Sequence, residues 1–491
     1  MRMSLRSASM LSGVRDIPSD LATVARRSSG ILLSPHHVTW ARYISQRASR
    51  LFDAVRRPAV ADRYVLRHPL PMNIPPVSAR LRDPKLKQSP IREIMKLADR
   101  QNVIALGLDP DDVISFAGGW VNHRAPEALR AAYQRVADDS SLFHELGAYA
   151  PTRGLPELRE ALVRADQALY KTEGLADEHI LVGQSSTQLT HSLFMALLDP
   201  GDRVLLFDPS YANYGPQLGF GPQGIEIVRL PVLDLGSWSF MSDSEALLLA
   251  VDQILERDRP RMMLFSSPDN PTSQMVPDAL FFEIVERARA AGCFVVVDFA
   301  YRAQCFLEEQ PDHYSASPVR FPNLVRLHSN SKWCRGLGRR LGWVEAAPEV
   351  IEALEIVQQT TTLCGDTVHQ YALANYLHKA VKDGSLGEYL EEARQQYKRA
   401  GEHTARCIEE HLGMPHMPPQ GGLFCVVNVG RDGDRFVREI LENTGVIFVP
   451  GSGFGSSLEH AIRVSFGPWV HDLPKIGTGF ERVRDYLALG A

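Results

Sequence analysis

Lys332 lies in His328-Ser329-Asn330-Ser331-Lys332-Trp333, directly after the apolar run of residues 324–327. Gly338 and Gly342 follow it by six and ten positions, and Arg340 by eight. A lysine placed there can form a Schiff base with an aldehyde cofactor, while Ser329 and Arg340 hold a phosphate beside it. That is the chemistry of pyridoxal phosphate (PLP), in which the cofactor is the electron sink and the protein orients it. A lysine in a Gly/Arg-rich loop is by itself most often a solvated surface residue. The weight therefore falls on the residues that accompany it.

Asp298 closes the valine run in Val295-Val296-Val297-Asp298-Phe299-Ala300-Tyr301. A carboxylate at the carboxyl end of a buried parallel strand is where open α/β sheets place ligand contacts. It suits an acid held against a pyridine nitrogen, which keeps the ring protonated and electron-withdrawing. Tyr301 can then reach the ring's phenolic oxygen. The plainer role for such an Asp is a helix N-cap. Asn270, in Ser267-Pro268-Asp269-Asn270-Pro271-Thr272, can bond the same ring oxygen through its amide. Asn-Pro is also a turn signal in its own right.

Ser185, Ser186 and Thr187 follow the short run 180–182 and open a helix. Small hydroxyl residues there offer backbone N–H groups, side-chain donors and the helix dipole to an anion. Capping needs one such residue, and phosphate binding exploits three. Tyr211, in Asp208-Pro209-Ser210-Tyr211, can stack on a pyridine ring or serve as a core tyrosine. Arg463 sits in the apolar strand Ala461-Ile462-Arg463-Val464-Ser465-Phe466, where a charge is costly unless paired. A substrate carboxylate gripped by both prongs would pair it, as would an internal Asp or Glu.

The elements that position these residues alternate from about Ser89 onward. Short β-rich runs at 203–207, 262–266, 294–299 and 324–328 are separated by amphipathic helices such as 277–291. This pattern predicts a mostly parallel sheet covered on both faces. After Trp343 it changes to a long helical region, 348–411, interrupted near 362–366 and at Gly384. Strands at 422–429, 446–449 and 461–466 then predict a smaller α+β domain. The expected divisions are an extension and linker (1–85), an N-terminal segment of the small domain (86–120), a large cofactor-binding domain (121–350), and an interdomain helix with the small domain (351–491).

The chain has 491 residues, 44% hydrophobic and 23% charged, enough for two sizeable cores. Its net charge of −5 gives no basic field for nucleic acid or an anionic membrane. No apolar run is long enough to span a bilayer. The six cysteines are scattered without metal-ligand spacing, so no metal is expected and a reducing compartment, the cytoplasm, fits. Up to Arg57 the chain holds ten arginines, no lysine and three acids, a bias that resembles a mitochondrial transit peptide. Residues 34–55 nevertheless read as an amphipathic helix, with Trp40, Tyr43, Leu51 and Phe52 on one face. A structured arm packed on the main body is the expectation, followed by a Pro-rich linker at 69–76.

Taken together and in order, these residues resemble the class I/II aminotransferases of PLP fold type I. The matching pieces are Tyr149 in Tyr-Ala-Pro-Thr-Arg-Gly, Ser185–Thr187, Pro-Ser-Tyr211, Asn270-Pro-Thr, Asp298-Phe-Ala-Tyr301, Ser329-Asn-Ser-Lys332, Arg340 and Arg463. Residues 89–94 and Ile114-Ser115-Phe116-Ala117-Gly118-Gly119 look like the kynurenine/aminoadipate-type branch. The resemblance implies an amino-acid substrate, a 2-oxo acid acceptor and a homodimer. It implies that Tyr149 reaches the cofactor phosphate of the partner subunit. It also implies that Arg463, assisted by Asn270 and the backbone at Gly119, holds the substrate α-carboxylate. Lys332 would be both the imine partner and the base that moves the proton. Arg92 and Arg124 are candidates for a distal acidic group of the substrate.

Three departures from the family pattern stand out. Gly119-Trp120-Val121 replaces the usual Gly-Gly-x-Pro, Ser273 follows Asn-Pro-Thr where Gly is usual, and Ser185-Ser186 replaces Gly-Ala. They leave elimination, replacement or cyclisation of an amino acid as an alternative to transamination. An aminotransferase-like transcription regulator is a third reading. The N-terminus, however, carries no helix-turn-helix pattern, and the linker arrives too early for a winged-helix domain.

Overall fold

The computed structural model describes residues 99–490, together with Ser78, Leu81, Ile94 and Lys96. The amphipathic stretch 34–55, the linker 69–76 and Arg92 lie outside the described residues.

A seven-stranded sheet is the centre of the larger part. Its strands are β1 (Ile180–Gly183), β2 (Arg203–Asp208), β3 (Glu226–Pro231), β4 (Met262–Ser266), β5 (Phe294–Asp298), β6 (Leu324–Ser329) and β7 (Gly342–Glu345). They lie in the order β1-β7-β6-β5-β4-β2-β3, and only β7 runs antiparallel to its neighbours. The interior strands are buried apart from Arg203 and Phe294 at the starts of β2 and β5, as their apolar runs require. Six helices are used below: α1 (Glu127–Asp138), α2 (Pro156–Tyr170), α3 (Ser185–Leu197), α4 (Pro348–Thr361), α5 (Thr367–Lys382) and α6 (Ser385–Cys407).

Alternation along each strand divides the core. Val204 and Leu206 of β2 pack with Leu189 and Leu193 of α3 and Ile351 and Leu354 of α4. Leu205 and Phe207 face the other way, onto the helices Ser244–Arg257 and Asp278–Ala290. Beside them, Val182 and Trp343 pack with α1, α2 and α5. Each fully buried Leu or Phe contributes roughly 1.5–3 kcal/mol, so the two faces fix the sheet and with it the strand ends.

The long helical region breaks where the sequence indicated. Asp366 caps α5 by accepting from His369 N, and Gly384 takes a left-handed φ of 81° before α6. A three-stranded antiparallel sheet follows, of β8 (Phe424–Asn428), β9 (Val449–Pro450) and β10 (Ala461–Ser465), in the order β8-β10-β9. The sequence suggested one strand over 446–449, but the chain changes partner at Phe448. Val446–Ile447 pairs in parallel with Ile114–Ser115, whereas Val449–Pro450 pairs with β10. Phe448 is fully buried between the two pairings and stacks on Phe116 at 5.5 Å. Among the described residues no helix is long and apolar enough to cross a membrane.

Candidate active site

A cavity of about 270 Å³ opens at the carboxyl ends of β4, β5 and β6, against the N-terminus of α3. Ser266, Asp298, Ser331 and Lys332 reach it from the sheet, and Ser186 and Thr187 from the helix. This is where an open α/β sheet exposes its strand ends to a ligand.

Lys332 is half-buried, and its Nζ donates to the carbonyl of Gly119 at 2.5 Å. The same nitrogen lies 5.5 Å from the centre of the Tyr301 ring. Burial, reinforced by the Arg463 and Arg340 charges and opposed by Asp298, lowers its pKa to about 8. Such an amine is partly neutral near physiological pH, as a nucleophile or base must be.

Asp298 is the last residue of β5 and is 7% exposed. Its Oδ1 accepts from Ala300 N at 2.9 Å and its Oδ2 from the Tyr214 hydroxyl at 3.1 Å. Burial raises its pKa to about 6 despite these donors and the Lys332 charge. The carboxylate is thus under-compensated, and a further N–H⁺ would stabilise it. Tyr211 lines the same wall, edge-on to Tyr214 with ring centres 5.3 Å apart. Tyr301 is 6% exposed and packs edge-on against Phe424.

Asn270 is held by a ring of local bonds after β4. Asp269 accepts from Thr272 N at 3.0 Å, from Thr272 Oγ1 at 2.7 Å and from Ser266 Oγ at 3.1 Å. Ser266 Oγ in turn accepts from Asn270 N at 3.2 Å. Asn270 Oδ1 accepts from Arg463 Nη1 at 3.0 Å. Arg463, only 1% exposed on β10, also donates Nη2 to the Ala117 carbonyl at 3.0 Å. Its Nε is buried without a partner among the described residues, and Phe424 and Phe454 cover the guanidinium at 4.2 and 4.9 Å. Burial lowers its pKa to about 10, opposed by Tyr301 and Tyr211.

At the α3 end, Arg340 donates Nη2 to Ser185 Oγ at 2.6 Å. Ser185 has a φ of 77°, the left-handed conformation that glycine adopts freely. Ser273, the other serine that departs from the family motif, has a φ of 58°. Its hydroxyl accepts from Phe424 N at 3.0 Å. Both substitutions therefore sit on strained backbone, and both hydroxyls are hydrogen-bonded. Ser329 Oγ donates to Ser331 Oγ at 2.8 Å, and of the two serines Ser331 lines the cavity.

The structure thus brings Lys332, Asp298, Tyr211, Asn270, Tyr301, Ser186, Thr187 and Arg340 to one cavity, with Ser185, Ser329, Gly119 and Arg463 bonded to its walls. Tyr149 is not among them: it is 83% exposed and does not line the cavity. Arg124 is exposed as well. Tyr214, Ser331 and Asp269 are functional candidates that the motifs did not single out. The spacing Tyr211-x-x-Tyr214 was the available signal for Tyr214. The donor set fits PLP: a primary amine, an anion cradle of hydroxyls and arginine, an under-compensated acid and two groups for a ring oxygen.

A profile of the family described as aminotransferase class I and II matches residues 111–472. The aspartate aminotransferase of Pyrococcus abyssi is 27% identical over 398 residues, which cover 80% of this chain and 95% of that protein. The aromatic-amino-acid aminotransferase 2 of Thermococcus litoralis is 25% identical over 398 residues, 80% of this chain and 95% of that protein. The structure of Thermus thermophilus aspartate aminotransferase with maleate superposes with a TM-score of 0.71, at 24% identity, over 84% of this chain and all of that one. At that identity the superposition speaks for the fold, a PLP fold type I architecture.

Proposed function

From the premise that the chain belongs to the class I and II aminotransferases, which are PLP-dependent enzymes, we propose that the cavity beside Lys332 is the site of amino transfer. The donor is an amino acid and the acceptor a 2-oxo acid. The observation that carries this reading is the meeting of Lys332 and Asp298 in one cavity, the amine with a lowered pKa and the acid with a raised one. Titratable groups that meet in one cleft, each moved from its ordinary value by burial and a charged neighbour, mark a site of chemistry. The aminotransferase relatives favour transfer over elimination, replacement or cyclisation.

PLP, when bound, supplies an aldehyde that condenses with amines and a ring that withdraws electrons. Lys332 would provide the amine that holds it, and its Nζ would take the proton from the substrate α-carbon and deliver it to the former aldehyde carbon. Asp298 keeps the ring nitrogen protonated, with Tyr214 fixing the carboxylate. Asn270 and Tyr301 would bond the ring oxygen, and Tyr211 would pack on the ring. Ser185, Ser186, Thr187, Ser329, Ser331 and Arg340 serve the phosphate end. Arg463 and the Gly119 backbone hold the substrate α-carboxylate.

The expected assembly is a homodimer, in which the exposed Tyr149 reaches the partner's phosphate site. We assign residues 86–120 with 351–491 to the small domain, supported by the pairing of Ile114–Ser115 with Val446–Ile447. Residues 121–350 form the large domain and 1–85 the extension. Placement in the kynurenine/aminoadipate-type branch rests on residues 114–119 and the opening motif, whereas the relatives named above act on aspartate or aromatic amino acids. Six unpaired cysteines, five of them buried, fit the cytoplasm.

The test is a half-reaction. Amino donor alone should release 2-oxo acid in stoichiometric amount with subunits, and added second 2-oxo acid should then yield a new amino acid. Continuous ammonia release without an acceptor would point to elimination instead.

A further inference from the structure

Asn330, two residues before Lys332, faces away from the cavity that Ser331 and Lys332 line. It is fully buried, and its backbone is the hub of the loop from β6 to β7. Its N–H donates to the Leu341 carbonyl at 3.2 Å, and its carbonyl accepts from Gly336 N at 3.3 Å and Cys334 N at 3.4 Å. The side-chain amide enters the space between α1 and α5. There it meets His369 Nε2, and His369 Nδ1 meets the Tyr133 hydroxyl. The Tyr133 and His369 rings stack at 5.7 Å with 11° between their planes. A Cβ on Gly336 would lie 2.6 Å from Asn330 Cγ, so glycine is required there to admit the amide.

We propose that His369 and Tyr133 are positioning residues for Lys332, acting through the Asn330 amide; this rests on the reading that Lys332 carries the cofactor. A leucine or phenylalanine at these positions would satisfy packing alone, and a buried polar chain is retained at a cost unless every member is bonded. As oriented, Asn330 Nδ2 faces His369 Nε2, and Asn330 Oδ1 is buried without a partner among the described residues. A half-turn of the amide exchanges these atoms. Tyr133 O–H then donates to Nδ1, and Nε2–H donates to Oδ1. In either orientation the chain from Tyr133 to Asn330 is continuous. Burial and the Arg339 charge, opposed by Asp366, lower the His369 pKa to about 4, so the imidazole is neutral. A neutral imidazole donates at one nitrogen and accepts at the other, so the chain passes through His369 without a break, its direction set by the tautomer. The loop that aims Lys332 is thereby tied to two helices that do not touch the cofactor site.

The test uses the full-length holoenzyme. Borohydride reduction and peptide mapping of the wild type come first: a cofactor trapped elsewhere than on Lys332 would overturn the underlying reading. With Lys332 trapped, the variants are Tyr133→Phe, His369→Gln, and Asn330→Leu combined with His369→Phe. The readouts are the pH titration of the lysine–cofactor absorbance and the rate of cofactor loss on dilution. Tyr133→Phe and the double variant should shift the absorbance pKa by about half a unit or more. They should accelerate cofactor loss about tenfold, and kcat should fall more than KM changes. His369→Gln, which keeps a donor and an acceptor, should lie closer to wild type. Should the double variant fail to fold, Tyr133→Phe still decides, because it removes one half-buried hydroxyl. An unshifted absorbance pKa with unchanged cofactor loss in Tyr133→Phe overturns the proposal, even if thermal stability falls.

Discussion

Arg463 donates to Asn270 at 3.0 Å across 193 residues of sequence, tying the small sheet to the loop beyond β4. It has no ion-pair partner among the described residues, and its remaining bond goes to a backbone carbonyl. Amide and carbonyl oxygens satisfy N–H groups, but they do not neutralise a buried charge, and the uncompensated cost is several kcal/mol. The sequence left two partners open for this arginine, a substrate carboxylate or an internal acid. With no acid paired to it among the described residues, we infer that the substrate carboxylate is its partner.

Arg463→Lys should therefore raise KM for amino and 2-oxo acids by about tenfold to a hundredfold, the value of a lost charge-assisted two-pronged contact. Cofactor affinity, measured by equilibrium dialysis, should change little. Loss of PLP with unchanged KM would assign Arg463 a purely structural role.

Lys332→Ala should abolish the borohydride-stable bond to the cofactor. In the wild type, the rate of PLP capture by the cofactor-free protein should rise with pH through about 8. An ordinary lysine would place that rise near ~10.4. The linkage has a definite sign. Because the folded pKa lies below the unfolded one, the unfolded chain binds more protons between the two values, and stability rises with pH across that window. A capture profile still climbing steeply above pH 10 would contradict the burial argument.

Asp298→Asn should lower kcat by orders of magnitude while leaving the fold intact, since a neutral amide cannot stabilise a ring N–H⁺. Without cofactor, the folded pKa of about 6 lies above the unfolded value of ~3.9. The acid's contribution to stability is full below the unfolded pKa and is lost as pH rises through about 6. The cofactor-free variant should thus gain on the wild type between those limits, as followed by thermal melts. Near-normal turnover would remove Asp298 from the mechanism.

How much of this was readable beforehand depended on where each residue sits relative to a strand end. Asp298, Asn270 and Lys332 stand just past apolar runs, so strand, turn and chemistry were legible together. Arg463 was legible because a charge in an apolar strand demands a partner. Ser329 was read as a phosphate ligand and Ser331 was passed over, because only the local turn decides that Ser331 faces the cavity. Tyr214 was hidden because the Tyr214–Gly219 helix is too short to show a period. Tyr133 and His369 are 236 residues apart on helices whose apolar pattern accounts for them as ordinary core positions. Ser185 and Ser273 were visible as departures from the family motif, but their left-handed backbone was not, since nothing local to a serine signals a positive φ.

That backbone yields a test of stability at the site. Ser273 is fully buried at φ 58°, and its hydroxyl accepts from Phe424 N, at the start of β8. Its carbonyl accepts from Gln420 N at 3.0 Å and Gly421 N at 3.1 Å, so the turn that leads into β8 closes on this one residue. Phe424 in turn lies under the Arg463 guanidinium. The left-handed conformation costs a non-glycine residue roughly 1–2 kcal/mol. Leaving the buried Phe424 N–H without an acceptor costs about 1–3 kcal/mol. Ser273→Gly relieves the first and incurs the second, for a net loss of about 0.5 kcal/mol between the middles of these two ranges. Ser273→Ala keeps the strain and also loses the bond, so it should be the least stable. The expected order of Tm is wild type, then Gly, then Ala. A glycine variant more stable than wild type would mean that the hydroxyl does not offset the strain, and an alanine variant equal to glycine would mean that the strain itself is absent.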